Sequence, residues 1–314
     1  MRNLFLSVAA AVGFISLSIV PAHGALTYAV GQTYGKTERL PQISALAAGK
    51  DDFLAVASMD KIFIYDPAKG ESVRNFDTGM KGITAVAVDG QTIYVFSRRT
   101  EAKEIQANGR KYTLEVPLEA LCKTFTWEGS PIGDIKLEKL TDVINAKVLD
   151  GKIYVSDFGG THTVRSFDAK TGKSLKSYGK DLRLCCGILD FAVDPKTSDV
   201  LIANLGAFRL ERYSSGGYLR SSFGKRGQQP TDFQGCCNPV SAAVLPDGNL
   251  VVAEKDPSRV KVYSSNGQML FAFSDLQELV KGCNRVSVAV DSKGRVYLGA
   301  NTSEHFVLQY VPKT

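Results

Sequence analysis

Apolar and polar positions alternate with a period of two in short runs along the chain, the pattern of β-strands. A unit opens on an apolar run such as Ile43-Ser44-Ala45-Leu46-Ala47-Ala48, Ile188 to Val193, or Val240 to Val244. After a turn comes a second run, as in Leu54-Ala55-Val56, Ile153-Tyr154-Val155 and Val251-Val252-Ala253. A loop then leads to a third run that closes on an aromatic: Ile62 to Tyr65, Val164 to Phe167, Val260 to Tyr263. An aromatic-glycine pair, Tyr34-Gly35, Tyr178-Gly179 or Phe223-Gly224, precedes the loop that enters the next unit.

With the end of the first run as a marker, the units fall at Ala48, Val88, Val148, Val193, Val244 and Val290, at intervals of 40, 60, 45, 51 and 46 residues. Six such units predict an all-β, six-bladed β-propeller, because a four-stranded sheet buries its faces only against neighbours in a ring. The longest interval predicts an insertion around 100–126 that lengthens an outer strand or decorates the second blade. The last unit stops after its third run, Leu308 to Val311, while Leu26 to Tyr34 has no unit of its own. The N-terminal strand is therefore expected to complete the last blade, leaving one domain over 25–314.

The first 24 residues change the compartment. Met1-Arg2-Asn3 is a positive start, Leu4 to Val20 is apolar, and Pro21-Ala22-His23-Gly24 ends in small residues, as a cleaved secretory signal does. Cleavage after Gly24 predicts a periplasmic or secreted protein with no membrane span; the alternative is an uncleaved N-terminal anchor. Removing Arg2 lowers the formal net charge from +6 to +5, and basic and acidic residues alternate throughout. That mild, scattered charge excludes the basic stripe a nucleic-acid partner requires. A monomer is expected.

The six cysteines sharpen the picture more than the charge does. Cys186, Cys237 and Cys283 each lie seven residues before a marker, and Cys185 and Cys236 precede two of them. In a propeller this places five cysteines at one channel mouth, on blades four to six, while Pro41, Lys81 and Thr141 hold the equivalent places on blades one to three. Three readings stay open, of which inert buried thiols are the plainest. Interblade disulfides would lock the ring in an oxidising compartment. Cys185, Cys186, Cys236, Cys237 and Cys283 would otherwise ligate a soft metal, Cu, Zn or an iron–sulfur cluster. Adjacent cysteines rarely bond to each other, so each pair offers thiols to other blades, and an odd local number leaves a thiol for redox chemistry. The loops joining second to third strands open on the same face. They bring Asp157, Glu254, Lys255 and Arg259 to the rim as candidate cofactor-binding residues, unless Glu254 simply pairs with Arg259.

Residues 223–263 resemble an NHL repeat: Phe223-Gly224, then Gly227, Pro230 and Phe233 in the loop, Pro239 before the inner strand, Asp247-Gly248-Asn249-Leu250 at the hairpin, and Arg259 to Tyr263 closing. The resemblance implies an exported NHL-repeat propeller, a family of protein- or RNA-binding modules and a few lyase-like enzymes. Where such repeats carry Asp-Ser-Gly-Asn-His before the arginine, this chain has Glu254-Lys255-Asp256-Pro257-Ser258. A zinc lyase of that family binds its metal through histidines, and only His162 and His305 follow the signal. Signature motifs of zinc proteases, serine hydrolases, phosphate loops and EF-hands are absent. The expected function is metal or redox-cofactor binding at the cysteine mouth, with electron transfer to a redox or other protein partner. The alternative is a disulfide-stabilised scaffold that binds protein or glycan without catalysis; a lyase or hydrolase on the same face ranks third.

Overall fold

The computed structural model describes residues 26–273, 276, 278–282 and 284–313. The expected signal segment and Cys283 lie outside the described residues. Strand β1 (Thr27–Tyr34) opens the chain. The first sheet then comprises β2 (Ala45–Ala48), β3 (Leu54–Ser58), β4 (Lys61–Asp66) and β5 (Glu71–Asp77). The second comprises β6 (Ala85–Asp89), β7 (Thr92–Ala107), β8 (Arg110–Thr126) and β9 (Pro131–Asp134). The third is β10 (Val143–Leu149), β11 (Lys152–Asp157), β12 (Thr163–Asp168) and β13 (Ser174–Tyr178). The fourth is β14 (Asp190–Val193), β15 (Val200–Asn204), β16 (Arg209–Tyr213) and β17 (Leu219–Phe223). The fifth is β18 (Ser241–Val244), β19 (Leu250–Lys255), β20 (Ser258–Tyr263) and β21 (Met269–Ala272). In the sixth, β22 (Val288–Val290), β23 (Val296–Asn301) and β24 (His305–Lys313) are joined by β1 on the outside.

All six sheets are antiparallel and four-stranded, an all-β, propeller-like arrangement. Four of the six first strands end on the residue the spacing marked, and β6 and β10 run one residue further. The β1–β24 pairing runs from Thr27 opposite Lys313 to Tyr34 opposite Val307. The chain start thus supplies the outer strand that the last unit lacks.

Hydrophobic packing runs between sheets, because each strand of a central sheet must bury both faces. Tyr34, Leu46, Leu54, Val56, Tyr65, Tyr297 and Val307 form one apolar cluster between the sixth sheet and the first. Ala192, Leu201, Ala203, Ala242, Leu250 and Val252 form another between the fourth and the fifth. First strands neighbour one another in order, β2 with β6, β6 with β10, β10 with β14, β14 with β18, β18 with β22, and β22 with β2. Small residues, alanine above all, recur along them because six strands converge there.

The extra length expected at 100–126 goes into β7 and β8, the middle strands of the second sheet, and not into the outer strand β9. Their ladder continues to Ala107 opposite Arg110, across Asn108-Gly109. Both turn residues have positive φ, 50° and 73°, the geometry of a two-residue hairpin turn that matches strand twist. No helix among the described residues is long and apolar enough to cross a membrane.

Candidate functional site

Antiparallel connection puts the loop entering each first strand at the same end as the loop joining second to third strands. Residues 182–189 enter β14 there. The Arg183 amide donates to Asn204 Oδ1 at 3.0 Å, and the Gly206 amide donates to the Arg183 carbonyl at 2.9 Å. A Cβ on Gly206 would lie 2.4 Å from that carbonyl, so the two loops close only over glycine. Cys185 and Ile188 then bracket a two-residue turn, closed by the Ile188 amide on the Cys185 carbonyl at 3.2 Å. Its central residues, Cys186 and Gly187, have φ of 59° and 68°. Asn, Asp or Gly usually fills the first of these places, so a cysteine there is held against its backbone preference.

Residues 234–239 enter β18 beside it. Asn238 ties this loop down: its Oδ1 accepts the Lys255 amide at 3.0 Å and its Nδ2 donates to the Gln234 carbonyl at 2.7 Å. The Gln234 amide in turn donates to Glu254 Oε2 at 3.1 Å.

The two loops bring three sulfurs together. Cys185 and Cys237 form a disulfide between loops of neighbouring sheets. Cys186 Sγ lies 3.3 Å from Cys185 Sγ and 3.9 Å from Cys237 Sγ. The three atoms fall within 4.8 Å of one another. Lys255, at the end of β19 and buried, donates from Nζ to Cys186 Sγ at 3.3 Å. Cys237 is buried, while Cys185 and Cys186 keep partial exposure. Cys236 points elsewhere: it is exposed and lines a separate hollow with Arg226, Gln228 and Gln234. Cys122 is buried in β8 between the second and third sheets, where burial pushes its thiol far above the ordinary range.

A scan of protein-family models finds no match for this chain, and a search of curated proteins finds none. What the mouth can do is set by its own side chains.

Of the four polar residues expected at the rim, only Lys255 reaches a sulfur. Asp157 is buried in an ion pair with Arg165 at 3.2 Å, and its Oδ2 also accepts from the Thr161 hydroxyl at 3.1 Å. Glu254 is fully buried between Arg259 and Lys261, with Lys261 Nζ at 2.8 Å. Arg259 Nη2 also donates to the Asp232 carbonyl at 2.9 Å. Glu254 and Arg259 therefore pair with each other, and the pair fastens the Lys255 backbone in place. His305 anchors its own loop through Asn301, ring Nδ1 to Oδ1 at 3.0 Å.

Asp190, which the sequence allowed as a channel-facing carboxylate beside Asp157, belongs to a second polar group. Asp190, at the start of β14, accepts from Asn145 Nδ2 at 2.9 Å and from the Ser241 hydroxyl at 2.8 Å, and Arg285 Nη1 stands 3.5 Å away. Burial raises the Asp190 carboxyl, opposed by Arg285 and Lys147. The available signal was Lys147, where every other unit has alanine, together with the place two residues before it, where Asn145, Asp190, Ser241 and Ser287 are polar in four units.

Chemically, a sulfur beside a disulfide can exchange with it, and a cation at hydrogen-bond distance favours the thiolate that does so. The same three sulfurs, once reduced, form a cluster of soft ligands.

Proposed function

We propose that this chain is an exported, six-bladed NHL-type propeller whose cysteine mouth is a thiol–disulfide redox centre. The pairing of β1 with β24 and the apolar cluster between sixth and first sheets support the closed ring. The repeat grammar of residues 223–263 supports the family, and the apolar N-terminal run with a disulfide supports export.

The observation that carries the redox reading is the Lys255–Cys186 contact beside the Cys185–Cys237 bond. A disulfide that only staples two loops needs neither a third sulfur nor a buried ammonium. In the exchange, the Cys186 thiolate attacks Cys237 Sγ, the Cys186–Cys237 bond forms, the Cys185–Cys237 bond breaks, and Cys185 leaves as the thiolate. No electrons are gained or lost in that step. Net reduction takes two electrons and two protons from a dithiol protein partner, which leaves as its own disulfide.

Peptide mapping of alkylated, unreduced protein tests this. The Cys185–Cys237 peptide pair is expected in the oxidised protein, and a Cys186–Cys237 pair after partial equilibration with dithiothreitol. Cys186→Ser and Lys255→Met should each slow reduction. Unchanged rates in both variants would leave a structural staple.

A second reading has its own support in the three sulfurs within 4.8 Å. The reduced mouth would bind Cu(I) or Zn(II) through Cys185, Cys186 and Cys237. A four-cysteine iron–sulfur cluster would need Cys283 as well. Anaerobic titration of reduced protein with Cu(I), followed by thiolate-to-copper absorption, separates this reading from exchange alone.

A further inference from the structure

The other end of the central hollow has a different chemistry. Residues from all six first strands line an open funnel with a cavity volume of about 200 Å³. Its wall is aliphatic, formed by Ala47, Val88, Ala192, Val244 and Val290 among others, and among the described residues Lys147 is the one charged side chain lining it.

Lys147 also lines the narrow inner cavity that holds Asn145, Asp190, Arg285 and Ser287. It therefore stands at the boundary between the aliphatic funnel and the polar group below. The Asp190 oxygens are already engaged by Asn145, Ser241 and Arg285, and Arg285 Nη2 donates onward to the Ser44 carbonyl at 2.9 Å. Among the described residues no carboxylate lies within ion-pair distance of Lys147 Nζ. The floor thus sets two basic side chains, Lys147 and Arg285, against the single carboxyl of Asp190. Burial pushes the Lys147 amine down, Asp190 opposes this and Arg285 adds to it, and no carboxylate in contact repays the desolvation. A charge left in this state beneath an apolar wall is where a ligand's opposite charge gains most.

We propose that this funnel binds a small amphipathic monoanion, an aliphatic carboxylate, with its head on Lys147 and its tail along the alanine and valine wall. The site is independent of the cysteine mouth, and neither depends on the other for its test.

Isothermal titration of the oxidised full chain with octanoate, octan-1-ol and acetate tests it. Saturable octanoate binding is expected, at least about tenfold tighter than either octanol, which lacks the charge, or acetate, which lacks the tail. Lys147→Met should weaken octanoate by at least about tenfold and leave octanol unchanged. Ala243→Leu, which fills the funnel and keeps the lysine, should weaken both octanoate and octanol. Circular dichroism melts of both variants establish that they fold. Absence of saturable octanoate binding to the unsubstituted chain overturns the proposal, as does equal binding of octanoate by folded Lys147→Met. Equal affinity for acetate would reduce the site to an adventitious ion only and overturn it too.

Discussion

The two ends of the hollow are built by the same six sheets and carry opposite chemistries. One end is made of loops that are tied by a disulfide, by Asn238 and Asn204, and by the buried Glu254–Arg259–Lys261 group. The other end is made of strand termini, aliphatic and small, with one lysine inside. Its rim is held by ion pairs such as that of exposed Lys293 with buried Asp52 at 3.3 Å. Strand ends converging on one axis leave room for alanine and valine and little else. Loops have no such constraint, so they can carry thiols and charged side chains, at the cost of needing internal partners to hold them.

The comparison breaks first at Glu254. Glu254→Gln removes the anion from between two cations and should cost about 3–5 kcal/mol, measured by urea unfolding, because buried charges would lose their partner. A loss below about 1 kcal/mol would mean the loop end does not depend on that group. Cys237→Ser comes next. Opening the cross-link between residues 52 apart should cost about 2–4 kcal/mol, and the difference should vanish when both proteins are unfolded in reducing buffer.

Thiol labelling sharpens the contrast between loop and body. In native oxidised protein, iodoacetamide at mild alkaline pH should modify Cys236 at least about tenfold faster than Cys122, whose buried thiol resists ionisation. Equal rates would show that the second and third sheets open readily.

The smallest effect is expected at the funnel rim. The Asp52 carboxyl sits below its ordinary value of 3.8: burial opposes this, and the Ser292 hydroxyl and amide together with Lys293 more than compensate. A depressed carboxyl adds stability that is present above the unfolded value and lost as pH falls through the folded one. Asp52→Asn should therefore lower the melting temperature slightly at neutral pH, and the difference from the unsubstituted chain should close as pH falls below about 4, as acid titration of the melting temperature would show.

Much of this was legible in the chain. The unit spacing located the ends of the first strands to within a residue, since period two and a repeated turn grammar are local properties. The partner of Leu26 to Tyr34 was readable because the last unit visibly lacked a strand. The seven-residue phase of Cys186 and Cys237 foretold that they would meet. Cys236 has the same kind of address yet points away, because neighbouring side chains on an extended loop diverge and only the turn geometry chooses which one faces inward. Asp157, Glu254 and Arg259 had the residue types of a binding rim; their partners, Arg165 and Lys261, lie on adjacent strands and decided otherwise.

By itself, then, the sequence determined the strands, their number and their order, because alternation and turns are written locally. Tertiary structure alone decided which sulfurs bond, that Lys255 stands on Cys186, and that Lys147 and Asp190 share the channel floor. Those contacts join residues from different sheets, and their distances depend on how the sheets pack against one another, which no single segment encodes.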